Sequence, residues 1–542
     1  MTEMSSKLIL ITPEILLFIG AVIVAVIGLS THRRIRNAVP WTTVGFLVAA
    51  IVATQVVYDG SKTVTDADLL FPNLGLYLKV MVGVIAIGLV LLGIGMVDRR
   101  YEDAVRDGRA GFDPLRVVRG EYHAFLLLSI AGTMLVANAN DLIWLFLAIE
   151  LSSLPTYVMV ALGRGTRRNK EAAIKYFFLG AMSSATFLYG FALLYGATGT
   201  LSLTGMQAVF ATQAAGDGIP LFGLIGMVFA FVGLCFKITA VPMHFYAPDV
   251  YQGAPTPVTG FISFMPKVAG FTAIIMLCAA VGWSGHHIID NAGVKVPTEG
   301  LPRPVHATLW VIAVLTMILG NIGALLQTSI KRLLAYSSIS HSGYILVGVI
   351  AGTAEGIDAV FFYLVTYGVA TVAVFGVLSG LQRHGREVET LDDLSGLWKR
   401  HPGMAFVLAL SAFSMLGLPP LLGFWGKLDI VIAGISAGET PLVVIMMATS
   451  AVSAYYYLHL AGLPVIRKPD ARTEGVEVGP SPWPRIAGMV FGIGILILPF
   501  GARKLMEQAE ASTASSWLEP AETTLNTEEA RPVDQTTEIP RA

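Results

Sequence analysis

Six residues in this sequence can take up and release protons while standing inside long apolar stretches. Glu150 lies in Trp144-Leu-Phe-Leu-Ala-Ile-Glu150-Leu-Ser-Ser-Leu-Pro155-Thr-Tyr157. Lys237 and His244 share the tract Leu234-Cys-Phe-Lys237-Ile-Thr-Ala-Val-Pro242-Met-His244. Lys267 follows Met265-Pro266, His341 closes Tyr336-Ser-Ser-Ile-Ser-His341, and Lys427 ends Gly423-Phe-Trp-Gly-Lys427. A charge at the centre of a membrane-crossing helix costs ~2.5–3.5 kcal/mol, so Glu150, Lys237, Lys267 and Lys427 together cost on the order of 10–14 kcal/mol before compensation. Buried structural ion pairs are the bland alternative, and charges spread over four separate segments weaken it. Such residues inside a bilayer mark pathways and proton relays. The cations in the apolar segments are Lys79, Lys175, Lys237, Lys267 and Lys427, with no arginine among them. Lysine can lose its proton when desolvated, whereas arginine holds it, which favours proton handling over fixed anchoring. Lys79 and Lys175 lie close to segment ends and are expected to snorkel outward.

The elements that position these groups are membrane-crossing helices. Of 542 residues, 54% are hydrophobic and only 13% charged, and the mean hydropathy is +0.69. A soluble domain carries about 25% charged residues. The net charge of −1 says nothing about nucleic acid and no basic tract suggests it, so the lipid bilayer and not a nucleic acid is the expected partner. Two cysteines, Cys235 and Cys278, are too few to hold an iron–sulfur cluster alone. Nucleotide-binding glycine motifs are absent, so any redox chemistry belongs to other chains.

Apolar runs of spanning length give fourteen expected crossings: 8–29, 40–58, 74–97, 121–139, 141–163, 171–198, 220–251, 255–282, 307–326, 333–352, 357–381, 402–434, 441–463 and 484–500. With both termini outside, twenty-three Lys and Arg fall in the cytoplasmic connections and only Lys62, Lys295 and Arg303 in the external ones. That asymmetry is the positive-inside signature.

Two of these segments are interrupted. Pro242 divides 220–251, and Pro419-Pro420 divides 402–434. Proline removes a backbone donor and opens a helix. In a continuous helix Lys237 and His244, two turns apart, would share a face, with freed carbonyls and water joining them. The second interrupted segment comes five crossings after the first, so the two run in opposite directions. This is the parity of an inverted repeat. The expected architecture is therefore an all-α polytopic membrane protein of about fourteen transmembrane helices with two inverted five-helix repeats, each containing a broken helix. Its parts are a three-helix segment 1–120, repeats at 121–282 and 307–463, a last crossing 484–500, and a polar, acid-rich, disordered tail 501–542. Ser337, His341 and Tyr344 fall at i, i+4 and i+7 and share one helix face; a relay and a set of satisfied core hydroxyls are equal readings of that face.

The tract Lys237-Ile-Thr-Ala-Val-Pro-Met-His-Phe-Tyr-Ala-Pro-Asp-Val-Tyr-Gln-Gly-Ala-Pro-Thr-Pro-Val-Thr resembles the antiporter-like subunits of respiratory complex I, in the form carried by subunit N. Met265-Pro266-Lys267 agrees with that form over the sister subunits M and L, and Lys427 agrees with it over M. The likeness runs from about Glu121 to Leu463. It implies that Glu150 and Lys237 are a coupled pair, Lys267 the central relay, Lys427 the residue near the outlet, and His244 and His341 accessory stations. Asp429 departs from the family's aromatic tract and receives no role. The resemblance further implies a subunit of a proton-translocating NADH:quinone oxidoreductase in a bacterial inner membrane, with no cofactor on this chain. FMN, iron–sulfur clusters and quinone would belong to partner subunits, including neighbouring antiporter-like ones. The rivals are a cation/proton antiporter or membrane-hydrogenase subunit of the same superfamily, and a non-transporting scaffold. A Glu150–Lys237 separation of ~7 Å would give an interaction of about 2.4 kcal/mol at an effective dielectric of ~20.

Overall fold

The computed structural model describes residues 8–58, 69–71, 73–96, 99–111, 120–162, 166–215, 218–282, 287–289, 295–297, 301–469 and 475–513. Its elements are overwhelmingly helical. The first three long helices are α1 (Thr12–Gly28), α2 (Val39–Tyr58) and α3 (Leu74–Gly93). Then come α4 (Gly120–Val136), α5 (Leu142–Ala161), α6 (Arg167–Thr198), the shorter α7 (Leu203–Ala215), α8 (Leu221–Leu234), α9 (Ala247–Gly253) and α10 (Thr256–Val281). The second half holds α11 (Arg303–Leu325), α12 (Ile330–Ala351), α13 (Ala354–Ser379), α14 (Pro402–Leu416), α15 (Leu422–Ser436), α16 (Thr440–Ile466) and α17 (Trp483–Ile497). Among the described residues ten helices are long and apolar enough to cross a membrane, and α1, α4, α8 and α14 are shorter apolar helices. Every expected crossing coincides with a helix, or with two helices where a proline break was read.

Burial separates these helices by role. All 26 residues of α10 are buried, and α12 and α13 are nearly as enclosed. A helix that is apolar all round must be surrounded by others, and α10 packs against α5, α7, α4 and α13. The outer helices instead expose large side chains such as Val56, Phe178, Leu221 and Tyr455, as a bilayer permits. Close approach relies on small residues, the usual device where no hydrophobic force drives helix pairing. A Cβ at Gly376 of α13 would stand 2.6 Å from the backbone of Gly488 in α17.

Both proline-bearing segments break as their sequences require. Between α8 and α9 the chain runs through turns from Cys235 to Tyr246, with Thr239 at φ 61°. Between α14 and α15 it turns at Gly417, φ +90°. The backbone groups released there find side-chain partners, as groups in a lipid environment must. Tyr246 donates to the Phe236 carbonyl, Ser342 donates to that of Ile238, and Val241 N–H donates to Thr316 Oγ1.

On one side of the bundle a hairpin, Leu381–Arg383 with Arg386–Glu387, pairs with Val476–Val478 in a small antiparallel sheet. Glu387 leaves this hairpin and accepts from Thr256 N and Oγ1 at the start of α10, and from Lys331 Nζ at 2.7 Å at the start of α12. Lys331, one of the twenty-three cations counted in the cytoplasmic connections, is therefore buried.

Two further readings need correction. Lys79 does not snorkel: it is fully enclosed, with Nζ 2.9 Å from Glu14 Oε1 and donating to the Leu10 carbonyl at 2.7 Å. The tail does not begin in irregular chain, because Ala502–Thr513 forms a helix; residues 514–542 lie outside the described residues.

Candidate functional site

Glu150 and Lys237 meet directly. Glu150 sits in the middle of α5, and Lys237 stands in the break after α8, where the chain leaves helical geometry and turns its side chain toward α5. Lys237 Nζ is 3.0 Å from Glu150 Oε1 and donates to Ser153 Oγ at 2.8 Å. Ser184 of α6 donates to the same carboxylate oxygen at 2.6 Å. Lys237 is almost fully enclosed, and the rings of Phe187 and Phe236 each lie 5.7 Å from its ammonium. The contact is thus a hydrogen-bonded ion pair.

His244 is not brought to Lys237. The chain turns between them, so the shared helix face does not exist, and the released carbonyls of Phe236 and Ile238 serve Tyr246 and Ser342 instead. The imidazole Nδ1 of His244 is buried without a hydrogen-bond partner, while its neighbour Phe245 is exposed.

Lys267 lies next along the interior. Gly270, one turn further on α10, packs on the Lys237 stem, and a Cβ there would stand 3.0 Å from Lys237 Cβ. Lys267 Nζ donates to the Ser338 carbonyl at 2.7 Å and to Ser338 Oγ at 2.9 Å, and sits 4.3 Å from the centre of the Tyr367 ring. Its partners are neutral, unlike those of Lys237. Ser342 Oγ lies between the two neighbourhoods: it donates to the carbonyl of Ile238, next in sequence to Lys237, and contacts the Ser338 carbonyl at 3.1 Å, which Lys267 Nζ also reaches.

His341 continues the line from the same helix as Ser338. Its Nδ1 is 2.6 Å from Tyr363 OH and its Nε2 2.7 Å from Tyr457 OH. Tyr457 OH in turn meets Ser337 Oγ. The ring lies within electrostatic reach of both Lys427 and Lys267, and packs 5.2 Å from the Tyr367 ring and 5.6 Å from that of Tyr344. Lys427 completes the series. Its Nζ donates to the Leu416 carbonyl at 2.7 Å, an acceptor released where α14 ends, and to Ser450 Oγ at 2.9 Å, over the Tyr344 ring at 4.9 Å. The last carbonyls of any helix lack intrahelical donors, so the break itself supplies the lysine's partner.

Five of the six residues singled out in the sequence thus fall on one buried polar line, in the order Glu150, Lys237, Lys267, His341, Lys427. The sequence reading missed Tyr363, Tyr367 and Tyr457, which hold His341 and Ser338. Their signal was present as Tyr363 and Tyr367 at i, i+4 in an otherwise apolar helix. Lys175 reaches the surface, paired with Asp249 at 2.6 Å and Glu171 at 2.8 Å, and Asp249 also binds Arg332. One carboxyl oxygen of Asp429 is buried without a hydrogen-bond partner. Cys235 and Cys278 are both buried free thiols.

A bundle with two broken helices and an internal line of lysines and histidine defines a class of membrane protein, and sequence comparison agrees. The family described as NADH:quinone oxidoreductase/Mrp antiporter, transmembrane, matches residues 139–293 and 297–453, which contain all six of these residues. NADH-quinone oxidoreductase subunit N of Paramagnetospirillum magneticum is 42% identical over 346 residues, 64% of this chain and 68% of the relative. Subunit N of Alkalilimnicola ehrlichii is 35% identical over 510 residues, 93% of this chain and 96% of that one. A chain of respiratory complex I from Thermus thermophilus, solved with bound aureothin, superposes with a TM-score of 0.71 at 29% identity, covering 92% of this chain and 99% of its own. The chain belongs to the NADH-quinone oxidoreductase subunit N family.

Proposed function

We propose that this chain moves protons across a bacterial inner membrane as a subunit of NADH:quinone oxidoreductase, passing them along Glu150, Lys237, Lys267, His341 and Lys427. The observation that carries this reading is the 3.0 Å Glu150–Lys237 pair, buried beside the helix that carries Lys267. At 3 Å and an effective dielectric of ~20 the pair is worth about 5 kcal/mol; moved apart to ~7 Å it keeps about 2.4. Separating the pair to ~7 Å therefore makes roughly 3 kcal/mol available for driving a proton from Lys237 toward Lys267, and protonating Glu150 makes the full ~5 kcal/mol available. His341, with both nitrogens hydrogen-bonded, carries it between the neutral cages of Lys267 and Lys427. His244 stands apart from this line and has an accessory role at the first break.

Partner subunits oxidise NADH and reduce quinone, and FMN and the iron–sulfur clusters belong to them. Neighbouring antiporter-like subunits supply the charge displacement that opens the pair. The loop-charge asymmetry supports both termini on the external side. Residues 121–282 and 307–463 act as two inverted repeats, preceded by the segment 1–120 and followed by the crossing 484–500. The recurring break and the two stretches matched by the family support this division. In vesicles containing the assembled complex, Lys237→Ala should lower protons pumped per NADH oxidised. Unchanged pumping per NADH would sink the assignment.

A further inference from the structure

Helix α11 turns Val311, Leu319 and Ile322 outward but sends one amide into the bundle, Asn321, which is 1% exposed. Its orientation follows from its partners. Nδ2 is 2.8 Å from the Met317 carbonyl, and a carbonyl can only accept, so the amino end of the amide must face it. The same amino group donates to Tyr344 OH at 3.0 Å, which leaves Oδ1 to accept from Tyr456 OH at 3.0 Å. The directions of these hydrogen bonds are thereby fixed. Tyr344, receiving from Asn321, has its own hydrogen free for α16, where Thr449, Ser450 and Ser453 lie within its reach. Ser450 is also the hydroxyl that receives Lys427 Nζ at 2.9 Å, and that ammonium stands 4.9 Å over the Tyr344 ring.

On its other side the amide faces a way out. Ser340 lies beside the Tyr456 hydroxyl and donates to the Tyr336 carbonyl at 3.1 Å, and Tyr336 is half-buried toward the start of α12. That start is on the hairpin side, since Ile330 N–H donates to the Glu389 carbonyl. Asn321 thus stands between the last lysine of the line and the face that the loop charges assign to the cytoplasm. A hydroxyl can hand a proton on, because its oxygen receives one hydrogen while releasing another. An amide cannot do this cheaply: a proton received at Oδ1 would have to leave from Nδ2, and the group would be left as the imidic acid. An apolar side chain would also block the way, but it would leave Tyr344 and Tyr456 without their partner. We propose that Asn321 is an insulator in the proton path, a positioning residue that aims the Tyr344 hydroxyl toward Ser450 and Lys427 and stops protons from slipping back from Lys427 through Tyr456. The stop rests on the relay reading proposed above.

The test uses the assembled complex in vesicles and reads two rates, protons pumped per NADH oxidised and the decay of an imposed pH gradient without NADH. Asn321→Asp is nearly isosteric, and its carboxyl can receive a proton on one oxygen and release it from the other. It should speed the passive decay at least ~threefold. Tyr456→Phe added to it removes the next hydroxyl and should restore tightness. Asn321→Leu fills the site without a relay, and should stay tight while lowering pumping because the Tyr344 hydroxyl loses its direction. An amide that only ties α11 to α12 and α16 predicts that both substitutions lower pumping alike and that neither leaks. Passive decay at the wild-type rate in assembled Asn321→Asp, an equal leak in Asn321→Leu, or a leak that survives Tyr456→Phe overturns the proposal. Lys237→Ala, run alongside, tests the relay by itself: lost pumping there with a tight Asn321→Asp removes the stop and leaves the relay standing. Should Asn321→Asp fail to assemble, Asn321→Ser, which leaves a hydroxyl and room for a water, is read in the same way.

Discussion

Glu150 Oε1 accepts two hydrogen bonds, from Lys237 Nζ at 3.0 Å and from the Ser184 hydroxyl at 2.6 Å. The carboxylate is therefore held on α6 as well as by its ionic partner, and any movement of α6 reaches the Lys237 proton through one hydroxyl.

Glu150→Gln should keep the shape of this contact and lose its charge. Breaking a buried pair by removing one partner costs about 3–5 kcal/mol, and the loss falls on the step in which Lys237 holds its proton. Proton flux coupled to NADH oxidation in vesicles is expected to fall at least ~tenfold. Ser184→Ala leaves the pair intact and removes one charge-assisted hydrogen bond worth ~1.5–3 kcal/mol, so its flux should lie between wild type and Glu150→Gln.

Tyr457→Phe and Tyr363→Phe each remove one hydroxyl from His341. A buried nitrogen left without its partner costs about 1–3 kcal/mol. Each substitution should slow flux severalfold without altering NADH oxidation by an artificial acceptor, and the two together should cost less than the sum of both, because they act on one ring. Additive losses would place the tyrosines in separate roles.

Gly417→Ala meets two obstacles at once. Its φ of +90° is open to glycine and strained for alanine, and the new Cβ would stand 2.9 Å from Lys427 Cδ. A loss of ~1–3 kcal/mol in stability is expected, read as a lower melting temperature of the purified chain. Gly45, whose Cβ would meet nothing within 4 Å, serves as the tolerated control.

Glu14→Gln should strand Lys79, which is 0% exposed, and cost about 3–5 kcal/mol. Glu14→Gln with Lys79→Met removes both charges and should recover most of that stability. If the double variant is no better than the single one, the pair does more than satisfy itself.

Glu387 gives the molecule an acid-side limit. Burial works to raise its carboxyl, but the charge of Lys331 and donors from Lys331 and Thr256 outweigh it and hold the group below the ordinary carboxylate value. A carboxylate lowered in the folded state adds stability above its unfolded value of ~4.3, and that contribution fades as pH falls through the lower folded value. Thermal stability should therefore be flat from neutral pH down to about 5 and decline below ~4. Glu387→Gln should melt earlier at neutral pH and show a shallower acid decline.

Much of this arrangement was legible in the sequence because a bilayer punishes exceptions. Charged groups within apolar runs marked Glu150, Lys237, Lys267 and Lys427, and prolines marked both breaks. What stayed hidden depends on pairing between distant segments. Lys79 looked peripheral because it lies near the start of α3, and only the neighbouring Glu14 of α1 shows why it stays inside. His244 would share a face with Lys237 only in a continuous helix, and the helix already ends at Leu234, before either residue, so the turns that follow decide where His244 goes. The burial of Lys331 depends on the hairpin, which delivers Glu387 to it from a distant part of the chain. The tyrosines around His341 were overlooked because a hydroxyl in an apolar helix carries no charge to betray it.

The grip on His341 has one more consequence. A neutral imidazole has one donor nitrogen and one acceptor nitrogen, so of Tyr363 and Tyr457 one must give a hydrogen and the other receive it. A proton arriving on one nitrogen and leaving from the other exchanges those parts and turns the run Ser337–Tyr457–His341–Tyr363 end for end. A second proton travelling the same way finds every arrow reversed and must wait for the hydroxyls and the ring tautomer to reset. On the proposed route the cluster would act as a turnstile that remembers its last passenger, and the time it takes to forget would set an upper bound on how often this half of the subunit can turn over.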